Sequence, residues 1–114
     1  MPKDWVWSIG SFLKGISEPK LIMTAYNIIN GVRASENADL ITGILRDEWG
    51  YKGLVTTDWW NHAEHDKEIL AGNDIRMPSS ATTDLAEKIK AGKMPRNYMA
   101  ICVKRLLELI MWLE

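Results

Sequence analysis

Apolar positions recur at spacings of three and four near the start of the chain. Trp5, Ile9, Phe12, Leu13 and Ile16, behind Asp4 as an N-cap, predict an amphipathic helix over residues 5–17, weakened by Gly10. After "EPK" the pattern changes: "LIMTAYN" (21–27) is a short apolar run and predicts a strand buried on both faces. Asn30-Gly31 signals a turn. In "SENADLITGILRDEWG", Ser35 or Asn37 can cap a helix whose face is Leu40, Ile41, Ile44, Leu45 and Trp49, with Gly50 as its stop. "YKGLVTTDWW" (51–60) predicts a second buried strand, "AEHDKEILAG" a short helix ending at Gly72, and "NDIRMP" (73–78) a third strand stopped by Pro78. The final stretch, "RNYMAICVKRLLELIMWLE", predicts a long helix that is apolar over most of its circumference and therefore needs cover on most sides.

Strands alternating with helices point to parallel βαβ units with right-handed crossovers. Three such strands leave two open edges, and association with further copies through those edges and through the greasy last helix is the expected remedy. Helices packed on both faces of the sheet, giving a small open sandwich, is the other arrangement this pattern allows.

Length changes the picture in one way: 114 residues make a single domain (1–114), well short of the roughly 250 that a complete eight-stranded α/β barrel uses. With 14 basic and 15 acidic residues the formal net charge is −1 and no block of like charge exists, so a nucleic-acid partner is not expected. Asp4 and Gly10 interrupt any signal-peptide core and no apolar run reaches the ~18 residues of a membrane span, so the chain is expected to be cytoplasmic and unanchored. Cys102 is the only cysteine, which removes intramolecular disulfides and Cys-based metal sites and leaves it as a small buried apolar residue. Six tryptophans, at 5, 7, 49, 59, 60 and 112, suit core, interface or ligand platform alike.

In parallel α/β proteins ligands gather where the strands end, because loops and helix N-termini converge there. That rule selects Tyr26 and Asn27, then Asp58 and Trp59, then Arg76, Met77 and Pro78. Asp58 is the one acid at a strand end with an aromatic neighbour. Carboxylates serve glycoside chemistry as nucleophile or general acid/base, and sugars stack on Trp. From position alone, Asp58 also reads as a helix cap or a solvated turn acid. His62 and His65 with Glu64, Asp66 and Glu68 read as a solvated acidic helix start rather than a metal site, and no phosphate loop or Gly-x-Ser-x-Gly elbow is present. No metal or cofactor is implied.

"IMTAYNIINGVRASENADLITGILRDEWGYKGLVTTDWW" followed by "AGNDIRMP" resembles the nucleophile-bearing segment of glycoside hydrolase family 3, the β-glucosidase family. The Met-x-x-Tyr-Asn strand, the Asn-Gly turn, the Leu-Arg-x-Glu-Trp-Gly helix end, the Thr-Asp-Trp strand end and the Ala-Gly-x-Asp-x-x-Met-Pro strand occur in the family's order. The match is close over residues 18–78 and looser over 79–114. The resemblance implies the last three strand-helix units of a (β/α)8 barrel, with Asp58 the catalytic nucleophile of a retaining mechanism. It implies that Trp59 borders the sugar subsite, that Met23 and Tyr26 line it, and that the ligand is a β-glucoside. The family's acid/base comes from a domain after the barrel and its sugar-gripping residues from earlier strands, and no stretch here matches them.

The expected fold is accordingly α/β: a partial barrel-like unit with three parallel strands and flanking helices, completed by oligomerisation. The expected function is a segment of a retaining β-glycosidase, inactive alone, from an excised, engineered or truncated chain. Two other classes stay open: a self-assembling α/β fragment without catalysis, and a carbohydrate-binding module using Trp59, Trp60 and Tyr26.

Overall fold

In the computed structural model, which describes residues 19–78 and 84–114, strand β1 (Leu21–Met23) pairs in parallel with β4 (Leu54–Thr56). The register sets Leu21 against Leu54, Ile22 against Val55 and Met23 against Thr56. The connection between them carries a small hairpin, β2 (Ile28–Ile29) and β3 (Val32–Arg33), then a 3-10 turn (Ala34–Glu36) and helix α1 (Asp39–Glu48). After β4 come helices α2 (His65–Ala71), α3 (Leu85–Lys90) and α4 (Arg96–Leu113). The helix expected over 5–17 lies outside the described residues.

Local chemistry accounts for these boundaries. Asn30 and Gly31 both take positive φ (50° and 80°), as a two-residue hairpin turn with the strands' twist demands. Asn37 accepts the Leu40 N–H through Oδ1 (3.1 Å), which caps α1. Ser35, the other cap proposed from sequence, is buried instead, and its carbonyl accepts the Asn73 amide (2.6 Å). Helix α1 is wound wider than an α-helix, with the Trp49 N–H reaching the carbonyl five residues back at Ile44 (2.9 Å), and it stops at Gly50 with φ 70°. Gly72 ends α2 in the left-handed region (φ 119°), where its N–H meets the Glu68 and Ile69 carbonyls.

Two expectations about the strands need correction. The third expected strand, 73–78, is reduced to one parallel bridge between Thr56 and Ile75, with Ile75 N–H bonded to the Val55 carbonyl and Thr57 N–H to the Ile75 carbonyl. Asp74 and Arg76, on either side of Ile75, turn their side chains to buried ion pairs rather than to a long ladder. The strand at β1 is not buried on both faces: Ile22 packs inward, but Leu21 and Met23 are 50% and 61% exposed. Side chains alternate along a strand, and on the face that Leu21 and Met23 share the described residues provide no matching layer. By contrast β4 is buried throughout, with Val55 fully so.

The core forms two clusters. Ile41, Tyr51, Val55 and Ala71 tie α1 and α2 to the sheet, with Ile22 and Leu45 packed against them. Ile69, Leu85, Met94 and Cys102 tie α2, α3 and α4 together. Burial pushes the Cys102 thiol up to about 11, so it behaves as the small apolar residue expected. Between the clusters lies Asp74, whose side chain is fully buried. Its Oδ2 accepts Arg46 Nη2 (2.8 Å) and the Val55 N–H (2.9 Å), and its Oδ1 accepts Arg105 Nη1 (2.8 Å). Arg46 also donates to the Gly53 and Gly72 carbonyls (3.0 and 2.8 Å). One carboxylate thereby clamps α1, β4 and α4 around the third strand segment.

Among the described residues no helix is long and apolar enough to cross a membrane.

Candidate active site

The parallel β1–β4 pairing brings the carboxyl ends of the two strands together, and the Thr24 N–H extends it one step by donating to the Thr56 carbonyl (2.9 Å). Met23 therefore ends β1 beside Thr56, Tyr26 follows in the turn after β1, and Asp58 and Trp59 follow β4. All four residues selected from sequence lie at this one end of the sheet, and Met23, Tyr26 and Trp59 are exposed. Partial desolvation, and after it the charge of Asp58, raise the Tyr26 phenol above its ordinary value, so the carboxylate acts electrostatically on this hydroxyl.

The loop after β4 is built by short polar contacts. Asp58 Oδ1 accepts the N–H of the next residue, Trp59 (2.6 Å), which orients the carboxylate and leaves its Oδ2 without a hydrogen bond within the described structure. Trp60 takes φ 60°, and the Trp59 and Trp60 rings meet edge to face with centroids 6.4 Å apart. Asn61 Oδ1 accepts the Ala63 N–H (3.1 Å), closing a local turn, and Glu36 Oε1 accepts the Glu64 N–H (2.8 Å), tying the loop to the 3-10 turn. Thr57 Oγ1 accepts the Met77 N–H (2.9 Å), so the residue before Asp58 is locked to the third strand segment. These supports were not found by sequence reasoning. Asn61-x-Ala63 carried a readable Asx-turn signal, whereas nothing local connects Glu36 to Glu64 or Thr57 to Met77.

Arg76, selected with the strand ends, turns away from the site. Its Nη1 donates to Glu68 Oε2 (3.0 Å) and to the Ala63 carbonyl (3.0 Å), making it a strut under the loop. Burial raises the Glu68 carboxyl, opposed by the Arg76 charge. Among the described residues no three His, Cys, Asp or Glu side chains gather where a metal ion would fit.

His65 begins α2 beneath this loop, and burial, with the Arg76 charge second, lowers its pKa. A lowered value favours the neutral imidazole in the folded chain, so its contribution to stability is present above the ordinary histidine value of about 6.5 and is lost as pH falls through the folded value. Urea midpoints compared at neutral pH and at about pH 5 should show a loss on acidification, and His65→Gln should make that loss smaller. An unchanged pH slope in the variant would exclude His65 as its source.

The profile of the glycosyl hydrolase family 3 N-terminal domain matches residues 8–109. The chain belongs to glycoside hydrolase family 3. It is 56% identical over 72 residues to β-glucosidase A of Butyrivibrio fibrisolvens, covering 63% of this chain and 9% of that protein. It is 40% identical over 96 residues to probable β-glucosidase I of Aspergillus terreus, covering 82% of this chain and 11% of that one. The crystal structure of the family 3 β-glucosidase of Bifidobacterium adolescentis superposes with a TM-score of 0.81 at 32% identity, over 90% of this chain and 15% of that one. The chain thus spans about a tenth of the length of these curated relatives, and its mixed α/β globule matches part of the family's barrel-bearing chains.

Proposed function

We propose that this family 3 chain is the nucleophile-bearing segment of a retaining β-glucosidase barrel. Asp58 is the nucleophile: its carboxylate attacks the anomeric carbon of a β-glucoside, the glycosidic oxygen leaves with a proton from an acid/base outside the described residues, and a covalent glycosyl ester forms. Water, deprotonated by that same acid/base, then cleaves the ester with net retention. Tyr26 donates a hydrogen bond toward the nucleophile, Trp59 presents a stacking face to the sugar, and Met23 lines the floor of the subsite. The observation that carries this reading is the convergence of Asp58 and Tyr26 at adjacent parallel strand ends, where the acid's charge already acts on the phenol.

Retention needs two carboxyl groups roughly 5 Å apart, so activity requires the remaining barrel strands and the acid/base to be supplied. The test is a chimera in which residues 19–114 replace the matching segment of a complete relative, treated with an activated 2-deoxy-2-fluoroglucoside. The expected result is turnover by the chimera, one sugar trapped as an ester on Asp58, and no labelling of the isolated chain. A folded chimera labelled at a different carboxylate would sink the assignment.

A further inference from the structure

Helix α4 is 18 residues long, yet among the described residues it turns one narrow face toward the others: Cys102 is buried, and Tyr98, Met99, Arg105 and Leu109 are half-buried. Its opposite side holds a second apolar line. Ala100, Val103, Leu107 and Ile110 follow one another at alternating spacings of three and four, the spacing of a coiled-coil seam. Val103, Leu107 and Ile110 are 51%, 54% and 45% exposed, and Ala100, Val103 and Leu107 line an open groove of about 830 Å³ beside Ile89. Extending the same spacing outward reaches Arg96 at one end of the line and Glu114 at the other, both exposed.

We infer that this seam pairs with α4 of a second copy of the chain, antiparallel and about a two-fold axis between Val103 and Leu107. The occupant follows from complementarity within the line itself. Reversed on its own copy, it sets Val103 against Leu107, small Ala100 against large Ile110, and Arg96 against Glu114. Each contact then occurs twice, as a two-fold interface requires. A parallel pairing would instead oppose Arg96 to Arg96 and Glu114 to Glu114 and align the two helix dipoles, both unfavourable. Lys104 and Glu108, joined by an ion pair one turn apart on the same helix, lie along the rim and keep the seam's edge polar. Trp112 stands on the other side of the helix, where Lys20 Nζ sits 5.1 Å from its ring centroid, so it anchors α4 to the start of β1 and takes no part in the seam.

The test is sedimentation equilibrium of the 114-residue chain over a wide concentration series, with folding of every variant checked by circular dichroism. The wild-type chain is expected to pass from monomer to dimer and stop there. Leu107→Glu, which places a charge in the seam, should weaken the dimer at least about tenfold. Arg96→Glu and Glu114→Arg should each weaken it, because each sets like charges opposite one another, and the double variant should recover the wild-type dissociation constant. Trp112→Ala should leave that constant unchanged. A monomer at every concentration, open-ended association, or a double variant no tighter than either single one overturns the antiparallel second copy and assigns the stripe to some other partner.

Discussion

Replacing Asp74 with alanine should lower the unfolding free energy by about 3–5 kcal/mol, as read from the urea midpoint of the 114-residue chain. The reason is the arrangement rather than the count of ion pairs. Asp74 is fully buried and holds two guanidinium groups, from Arg46 and Arg105, together with the Val55 N–H. Its removal leaves the buried Arg46 and the half-buried Arg105 with no anion between them, and a buried strand donor without an acceptor. Burial already lowers the pKa of Arg46 against the pull of Asp74, which marks how costly that charge is to keep inside. Asp74→Asn should fall between the two, since the amide oxygen can still accept the Val55 N–H while losing the charge. A loss under about 1 kcal/mol for the alanine variant would mean that water reaches both arginines and that the clamp is a surface feature.

Asp58→Ala should do the opposite: leave the fold nearly untouched and remove the chemistry. In this structure the Asp58 carboxylate makes one hydrogen bond, to the N–H of the adjacent Trp59, and the residue is only partly buried. The stability cost should therefore stay within about 1 kcal/mol. In the active chimera the turnover number should drop on the order of a thousandfold or more, because the proposed role of Asp58, forming the covalent intermediate, has no partial substitute. Azide added to that variant should enter the space left by the carboxylate and yield a glycosyl azide of inverted configuration. An Asp58→Ala chimera that keeps most of its turnover, or a variant chain that unfolds, would favour the turn-forming role that position alone also allowed.

The contrast between these two aspartates explains what could be read in advance. The reading of Asp58 rested on its place at the end of an apolar run beside an aromatic pair, local features that also allow a helix cap or a turn acid, and on the ordered family motifs around it. Tyr26 was selected by the same rule, as the end of the preceding run, whereas Met23 entered only through the family resemblance. Asp74 lies within the Ala-Gly-x-Asp-x-x-Met-Pro motif, yet no local rule shows that it would draw Arg46 from 28 positions before it and Arg105 from 31 positions after it. Glu36 beneath Glu64 and Thr57 beneath Met77 were hidden for the same reason.

Sequence alone determined the helices at α1, α2 and α4, the stops at Gly50 and Gly72, the Asn30-Gly31 turn and the family, since each rests on periodicity, backbone preference or ordered motifs along the chain. Only the tertiary structure decided that the third strand contracts to a bridge at Ile75, that β1 opens one face to solvent, and that α4 keeps a second apolar line exposed. Pairing partners, buried charges and the choice of which apolar face is covered depend on segments far apart in the chain. Their energies arise only once folding has brought those segments into contact.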